Sequence, residues 1–256
     1  MIDSNAYNFF LTSVQSGAIR ILFESLKDVL TDVNIHVSPS GIKIVSMDGS
    51  KSAIVHLKLL ATQFEFYHCS NNLTLGVNML SLFKILKSIK NNDVISMYVT
   101  HDTTKLFIKI ENKDKKCETI SELKLLDIDE DILRIPTIEF DSIITIPSPD
   151  FQGYMRDLSV ISNEITVETD TNNLLFRVNG DFASQQIKIS QTNNSLNLTK
   201  CNPTCNTFNL KYLLLFTKST NLCNTVELYL KSRFPLILLY NVANLGQLKF
   251  CLAPKQ

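Results

Sequence analysis

Basic side chains recur at helical spacings in this chain, and their chemistry suits the binding of phosphate. Arg20 and Lys27 lie seven positions apart, and Lys211 and Lys218 repeat that spacing. Seven residues span about two helical turns, so the two members of each pair project from one side of a helix. Rows of lysine and arginine bind phosphate oxygens without reading base sequence. The full set of candidate cations is Arg20, Lys27, Lys84, Lys87, Arg156, Lys211 and Lys218.

Each of these cations also has an ordinary interpretation, because charged residues opposite an apolar stripe form a solvated helix face. Glu24 follows Arg20 by four residues, a spacing that favours a local ion pair. Four acids, however, crowd into positions 127–131, away from these helices. Four basic helix faces in a chain of zero net charge therefore favour a surface that faces a polyanion.

Residue patterns typical of catalytic and metal sites are missing from the sequence. The four histidines show no ligand spacing, and Cys201 with Cys205 lacks a second cysteine or histidine pair. No glycine-rich phosphate loop and no GxSxG elbow occurs. We therefore predict no enzymatic activity, no metal and no cofactor; a buried pair of carboxylates is the enzymatic alternative.

The composition is that of a globular protein with room for two domains. The chain has 256 residues, 45% of them hydrophobic, and its 25 basic and 25 acidic residues cancel. No apolar run reaches the roughly 18 residues that a membrane span needs, and the N-terminus lacks a signal-peptide pattern. Six cysteines at irregular spacings suit a reducing compartment. We expect a soluble, intracellular protein without a membrane partner.

Four amphipathic helices are predicted, and each carries part of the basic set. Apolar residues at the 3,4 spacing between Ile19 and Leu30 mark the first of them. The predicted helices are Ser13–Leu30, Met79–Lys90, Asp150–Ile161 and Leu210–Thr220.

Short strands are predicted between these helices, where β-branched residues partly alternate with polar ones. The Asn/Thr-rich stretch 192–205 is expected to be a loop around at most one short strand. Many short strands with few helices predict an α+β fold with large antiparallel sheets. The predicted strands are Val33–Val37, Ile42–Ser46, Ala53–Leu60, Phe64–Cys69, Leu73–Val77, Val94–Thr100, Lys105–Ile110, Cys117–Leu125, Ser142–Ile146, Ile165–Thr169, Leu174–Val178, Ser184–Ser190, Val226–Lys231 and Leu236–Val242.

The two halves of the chain repeat one pattern of elements. A shift of 131 residues aligns the segment from Val77 with the segment from Phe208, and Asn78 then meets Asn209. Both segments consist of extended residues, a helix, a polar turn and a strand. Internal similarity of this kind indicates a duplicated unit.

A connector at 125–140 separates the two halves. It combines the acidic run with Pro136, which withholds a backbone N–H from any sheet and favours extended chain before it. We expect the connector to cross the surface without joining a central sheet. The predicted domains are then 1–124 and 141–256.

Six segments, taken together and in their order along the chain, resemble the sequence pattern of a known family. They are SMDGS at 46–50, GVNMLSLFKILK at 76–87, LKLLDID at 123–129, IKISQT at 187–192, LLLFTKST at 213–220 and LKFCLAPK at 248–255. The chain closely resembles the proliferating cell nuclear antigen family, the eukaryotic and viral DNA sliding clamps. The likeness runs essentially from end to end.

The resemblance implies a DNA clamp fold: a two-domain subunit of duplicated β-α-β units, three of which close head to tail into a toroidal ring around duplex DNA. The seven cations match positions that line the hole, and Lys115 or Lys116 would add to them. Ring closure would use edge strands near Cys117–Leu125 and Ser184–Ser190. Such a homotrimer tethers its DNA polymerase, which raises the effective concentration of the enzyme at its template. A separate ATP-driven clamp loader opens the ring, in the nucleus or at a viral replication site.

The resemblance also implies a groove beside the connector that accepts plug peptides of polymerases, nucleases and ligases. Aliphatic and aromatic side chains would anchor such a peptide. Taken singly, the residues at the matching positions are ordinary core and turn residues. They are Met47, Leu133, Ile135, Pro136, Phe140, Pro235, Ala253 and Pro254.

This sequence departs from the family pattern at several positions. Ser121 stands where many relatives carry a large aromatic across the seam, which leaves the stability of a homotrimer open. Two alternatives follow: a subunit of a hetero-trimeric damage-checkpoint clamp, and a clamp that is monomeric until it meets DNA. The other departures are Ile21 for a second lining lysine, Thr171 for a modifiable lysine, Lys51 for a histidine and Cys251 for a tyrosine beside the groove.

Overall fold

The computed structural model describes residues 6–90, 92–112, 114–129, 133, 138–191 and 196–255. The chain divides into two compact units. The first unit holds Met1–Gly49, His56–Leu133 and Val242–Leu248, and the second holds Ser50–Val55, Arg134–Asn241 and Lys249–Gln256. Each unit is thus built from three separate segments of the chain.

The first unit packs two helices, α1 (Ser16–Leu26) and α2 (Met79–Leu86), against each other. One of its sheets has the strand order β5-β1-β7-β8-β9, and the other follows the order β18-β4-β3-β2-β6. The strands of this half are β1 (Phe9–Ser13), β2 (Asp32–Ser38), β3 (Gly41–Met47), β4 (Ala53–Leu60), β5 (Phe66–Cys69), β6 (Leu73–Asn78), β7 (Asp93–Val99), β8 (Lys105–Asn112) and β9 (Cys117–Lys124).

The second unit packs α3 (Ser148–Ser159) against α4 (Leu210–Phe216), and a 3₁₀ helix at Thr217–Leu222 continues α4. Its sheets have the strand orders β14-β10-β16-β17-β18-β4 and β13-β12-β11-β15. The strands of this half are β10 (Ser142–Pro147), β11 (Glu164–Thr169), β12 (Asn173–Asn179), β13 (Ser184–Ser190), β14 (Asn197–Cys201), β15 (Thr204–Asn209), β16 (Thr225–Leu230), β17 (Leu236–Val242) and β18 (Gly246–Leu252).

The α+β fold predicted from the sequence is confirmed, and so is the repeat of its two halves. The order β6-α2-β7 recurs as β15-α4-β16. The aligned residues Asn78 and Asn209 cap α2 and α4, because their Oδ1 atoms accept from the backbone N–H of Ser81 (2.9 Å) and Lys211 (3.0 Å). A cap of this kind contributes about 0.5–2 kcal/mol of stability. The 131-residue shift therefore aligns equivalent structural positions.

The helices bury the stripes that their spacing predicts. In α1 the buried apolar residues are Ile19, Leu22, Phe23 and Leu26. In α3 they are Phe151, Met155 and Leu158, again at 3,4 spacing. Each such side chain contributes about 1.5–3 kcal/mol when fully buried, which fixes the opposite face of the helix toward solvent.

None of the helices in the described ranges is long and apolar enough to cross a membrane.

The predicted first and fourth helices are too long, and local hydrogen bonds of hydroxyl groups explain both errors. Ser13 ends β1, and its Oγ accepts from the N–H of Gln15 (3.0 Å), so α1 begins only at Ser16. After α4 the hydroxyls of Thr217 and Thr220 donate to carbonyls three residues earlier, at 2.8 and 2.6 Å. Such bonds compete with α-helical pairing, and the chain continues as a 3₁₀ helix.

Three strands, β1, β15 and β18, were not predicted. β1 lacks alternation because both of its faces are apolar: Phe9 and Leu11 lie in the core. On the opposite face, the ring of Phe10 stacks on Tyr98 with centroids 5.6 Å apart. The second helix is also shorter than predicted. The prediction extends it to Lys90, whereas α2 ends at Leu86.

Candidate nucleic-acid interface and partner groove

The exposed side of α2 carries two lysines with free charge. Lys84 and Lys87 are three residues apart and both exposed. Neither forms an ion pair with any residue in the described ranges. Their ammonium groups are therefore the most available charges of the first helix pair.

The two cations of α1 are held by neighbours. Arg20 Nη1 lies 3.4 Å from Glu24 Oε2, which is the local ion pair that the four-residue spacing predicts. Lys27 Nζ lies 2.7 Å from Asp28 Oδ1 and 5.2 Å above the centre of the Phe83 ring. An ammonium over an aromatic face is attracted by the ring quadrupole. Phe83 itself is half-buried, so one face of its ring is open to this contact.

The second unit repeats the arrangement with three cations. Arg156 on α3 is 75% exposed, and its Nε lies 3.4 Å from Asp157 Oδ1. Lys211 stands exposed in the first turn of α4, and Lys218 is exposed on the 3₁₀ helix that follows. All seven cations predicted from sequence thus lie on the two helix pairs or at their ends.

Acids on the same helices reduce the positive charge of this surface. Glu24 and Asp28 accompany α1, and Asp150 and Asp157 belong to α3. Three of the seven cations have one of these acids as a direct partner. A modest excess of positive charge, carried partly by exposed side chains and partly by cations paired with acids, suits a weak contact to a phosphate backbone.

A cleft of about 710 Å³ lies in the second unit and contains part of the predicted groove. Ala253 and Pro254 line it together with five residues that were not predicted: Cys205, Asn206, Thr207, Arg233 and Lys255. The N–H of Lys255 donates to the carbonyl of Thr207 (2.8 Å), which holds the C-terminal segment beside β15. The sequence offers no signal for this cleft, because its walls come from segments far apart in the chain.

The other predicted groove residues are distributed as follows. Phe140 is half-buried, and its ring meets Tyr229 edge-on with centroids 5.3 Å apart. Burial is the larger of two causes that raise the pKa of Tyr229 to about 12; the other is the 2.6 Å hydrogen bond that its hydroxyl donates to Glu227. This hydroxyl therefore stays protonated. Pro235 is half-buried in the second unit, and Met47 and Leu133 are half-buried residues of the first. Ile135 and Pro136 lie outside the described residues.

Two long edge strands stand at the ends of their sheets. β9 closes the five-stranded sheet, and β13 closes the four-stranded sheet; they are the longest edge strands in the described ranges. Lys109 pairs with Glu118 of β9 at 2.8 Å and with Glu111 at 2.9 Å. These two bonds raise the pKa of Lys109 to about 12, and the bond to Glu118 has the larger effect. Both ion pairs therefore persist at neutral pH.

Large apolar side chains lie exposed on or beside both edges. Ile120 on β9 is 51% exposed, and Phe182, two residues before β13, is 74% exposed. Val160 at the end of α3 is 75% exposed. Gly180 packs so closely on Ile161 that an added Cβ would lie 2.0 Å from the Ile161 carbonyl oxygen, which places the Phe182 turn at the end of α3. Exposed apolar groups beside an open edge are typical of an association surface.

The described residues contain no cluster of histidine, cysteine or carboxylate side chains that could hold a metal ion. Comparison with known families matches nearly the whole length of the chain. The model of the proliferating cell nuclear antigen N-terminal domain matches residues 10–133, and the model of its C-terminal domain matches residues 134–255.

Two curated relatives cover nearly the same length. A "probable DNA polymerase sliding clamp 1" of Paramecium bursaria Chlorella virus 1 is 36% identical over 265 residues, spanning 99% of each chain. The proliferating cell nuclear antigen of Chaetomium thermophilum is 32% identical over 247 residues, spanning 94% of this chain and 95% of the relative.

Proposed function

The chain belongs to the proliferating cell nuclear antigen family and is a DNA sliding clamp, and we propose that it closes as a homotrimer around duplex DNA with its basic helices inward. The observation that supports this arrangement is the placement of all seven cations on the two packed helix pairs or at the ends of their helices. The relatives are named as a polymerase clamp and a nuclear antigen. We propose that this clamp works in the nucleus or at a viral replication site.

The helix surface holds DNA without stopping it. Lysine and arginine contacts to phosphates carry no sequence information, and each exchanges readily with counterions. Lys84, Lys87 and Lys211 are exposed, and Arg20, Lys27 and Arg156 share their charge with neighbouring acids. A duplex inside the ring would therefore move from contact to contact, and the closed topology, not affinity, would keep the clamp on DNA.

The strand order supports ring closure through β9 and β13. In the duplicated pattern β18 occupies the place of β9, and β4 occupies the place of β13. β18 and β4 are neighbours in the sheet order. Pairing of β9 in one copy with β13 of the next would repeat that arrangement, and it would cover both open edges. Phe182 and Val160 would then be buried at each seam.

We also propose that the predicted groove receives plug peptides of DNA polymerases, nucleases and ligases. The apolar members, including Leu133, Phe140 and Pro254, are half-buried and so keep surface for a peptide anchor. A clamp loader would act as a further partner. It would supply the ATPase activity, since the sequence contains no glycine-rich phosphate loop. The family is a non-catalytic processivity factor, and we assign no reaction to this chain.

Substitution of Leu133 by Asp tests the groove. We expect the affinity for a plug peptide to fall about 10- to 100-fold, because an apolar contact worth about 1.5–3 kcal/mol is replaced by a desolvated charge. Peptide binding is measured by fluorescence anisotropy. Leu126→Asp is the matched control, since Leu126 lies in the same connector with an exposed side chain and is no predicted groove member. Unchanged affinity of the Leu133 variant would remove this residue from the groove.

Primer extension tests the function as a whole. A DNA polymerase with a plug motif copies a long primed template in the presence of a trap that captures every dissociated enzyme. With this protein and a clamp loader present, product length per binding event should rise at least about tenfold through the higher effective concentration. Equal product lengths with and without the protein would contradict the proposal.

A further inference from the structure

The cleft beside the C-terminal segment contains an uncompensated positive charge. Its lining includes two cations, Arg233 and Lys255, and no acid. The Lys255 ammonium pairs with Glu164, so its charge is shared. Arg233 is exposed and forms no ion pair with a residue of the described ranges. One guanidinium is therefore available to whatever occupies the cleft.

The backbone that carries Arg233 is fixed by a buried amide. Asn206 is only 6% exposed, and its Oδ1 accepts from the N–H of Arg233 at 2.7 Å. Its Nδ2 donates to the carbonyl of Lys231 at 3.0 Å, so one side chain holds both ends of the turn. Asp141 reaches the same turn but accepts from the backbone N–H of Ser232 (3.3 Å). The backbone position from which the Arg233 side chain extends is thus fixed by the buried Asn206.

Arg233 occupies a backbone conformation that favours glycine. Its φ is 59°, in the left-handed region, where the Cβ atom of any residue other than glycine is disfavoured. A glycine would fit this turn with less strain, so the turn itself does not require an arginine. This position therefore also provides a substitution, Arg233→Gly, that removes the charge without endangering the fold.

We propose that Arg233 makes this clamp prefer partner peptides with a carboxylate next to the segment anchored in the cleft. This inference rests on the proposed groove, of which Ala253 and Pro254 are the members that line the cleft. A guanidinium binds a carboxylate through two parallel hydrogen bonds, a geometry that lysine and neutral side chains lack. Charge complementarity identifies the occupant as an acidic flank of a peptide. A basic flank would meet repulsion at the same place.

Anisotropy titrations with three labelled versions of one plug peptide test the proposal. The versions carry two aspartates, two asparagines or two lysines, placed before the anchored segment in one series and after it in another. For the native protein we expect the aspartate version of one series to bind roughly 3- to 10-fold tighter than the lysine version, as for a partly exposed charge pair. Arg233→Gly should bind all three versions alike, and Arg233→Glu should reverse their order.

Lys43→Glu is the matched control, because Lys43 is an exposed lysine of β3 and is no part of the cleft lining. It should keep the order of the native protein. Equal affinity of the native protein for all versions in both series would overturn the inference and leave the groove standing. The native order in Arg233→Glu would overturn it as well. Failure of every version to bind the native protein would contradict the groove itself, and the preference assigned to Arg233 with it.

Discussion

Reversal of Lys84 and Lys87 to glutamate should abolish most of the stimulation of a DNA polymerase. The double substitution turns the most available cations of α2 into anions and lowers the charge by four units in each chain. Product length per binding event should fall at least about tenfold. The negative slope of log affinity against log salt should become shallower by about two, because two phosphate contacts are lost. Both side chains are exposed, so the fold and plug-peptide binding should not change.

A matched control separates this effect from net charge. Lys43→Glu with Lys58→Glu makes the same change in charge on exposed positions of β3 and β4. This control should retain the stimulation of the native protein. Equal losses in the two double variants would show that overall charge, not the helix surface, governs the contact to DNA. Full stimulation by the Lys84 and Lys87 variant would exclude α2 from that contact.

Substitution of Phe182 by Ser should dissociate the ring. Phe182 is 74% exposed in the single chain, so its replacement leaves the fold of the unit intact. If the seam buries this ring, its loss removes about 1.5–3 kcal/mol from each contact, equivalent to roughly 10- to 100-fold in affinity. Light scattering across a concentration series measures the effect. Three chains of 29.0 kDa give a trimer of about 87 kDa.

The native protein should keep the mass of a trimer at concentrations where the Phe182 variant already has the mass of one chain. Val14→Ser is the control, since Val14 is also an exposed apolar residue and lies on neither edge strand. A variant as trimeric as the native protein would remove Phe182 from the seam. A native protein that is monomeric at every concentration would favour a hetero-trimeric clamp or assembly on DNA, the two alternatives that Ser121 leaves open.

Local patterns predicted the parts of the fold that are set by nearby residues. The limits of β4, β13 and β17 agree with the prediction to the residue. β4 and β17 bury most of their apolar residues, which gives these two strands a marked pattern in the sequence. The 131-residue repeat aligned Asn78 with Asn209, and the structure shows that both cap the helix that follows them. The resemblance of the chain to the clamp family is confirmed over both domains.

The parts that were missed depend on contacts between distant segments. The cleft forms because the N–H of Lys255 pairs with Thr207 and because Asn206 holds the turn at Arg233. Neither contact has a sequence signature. The left-handed φ of Arg233 is equally invisible in sequence, since arginine rarely adopts it. The roles of the seven cations and of the groove residues stay predictions that the experiments above test.

Retention on circular DNA tests the encircling ring most directly. The protein is loaded by a clamp loader onto a nicked plasmid, separated from free protein by gel filtration, and the plasmid is then cut once with a restriction enzyme. A closed ring should stay on the circle in moderate salt and leave within minutes of linearisation, because only the free ends release it. Retention that is equal on circular and linear DNA, or loss from the intact circle at the same rate, would contradict the account.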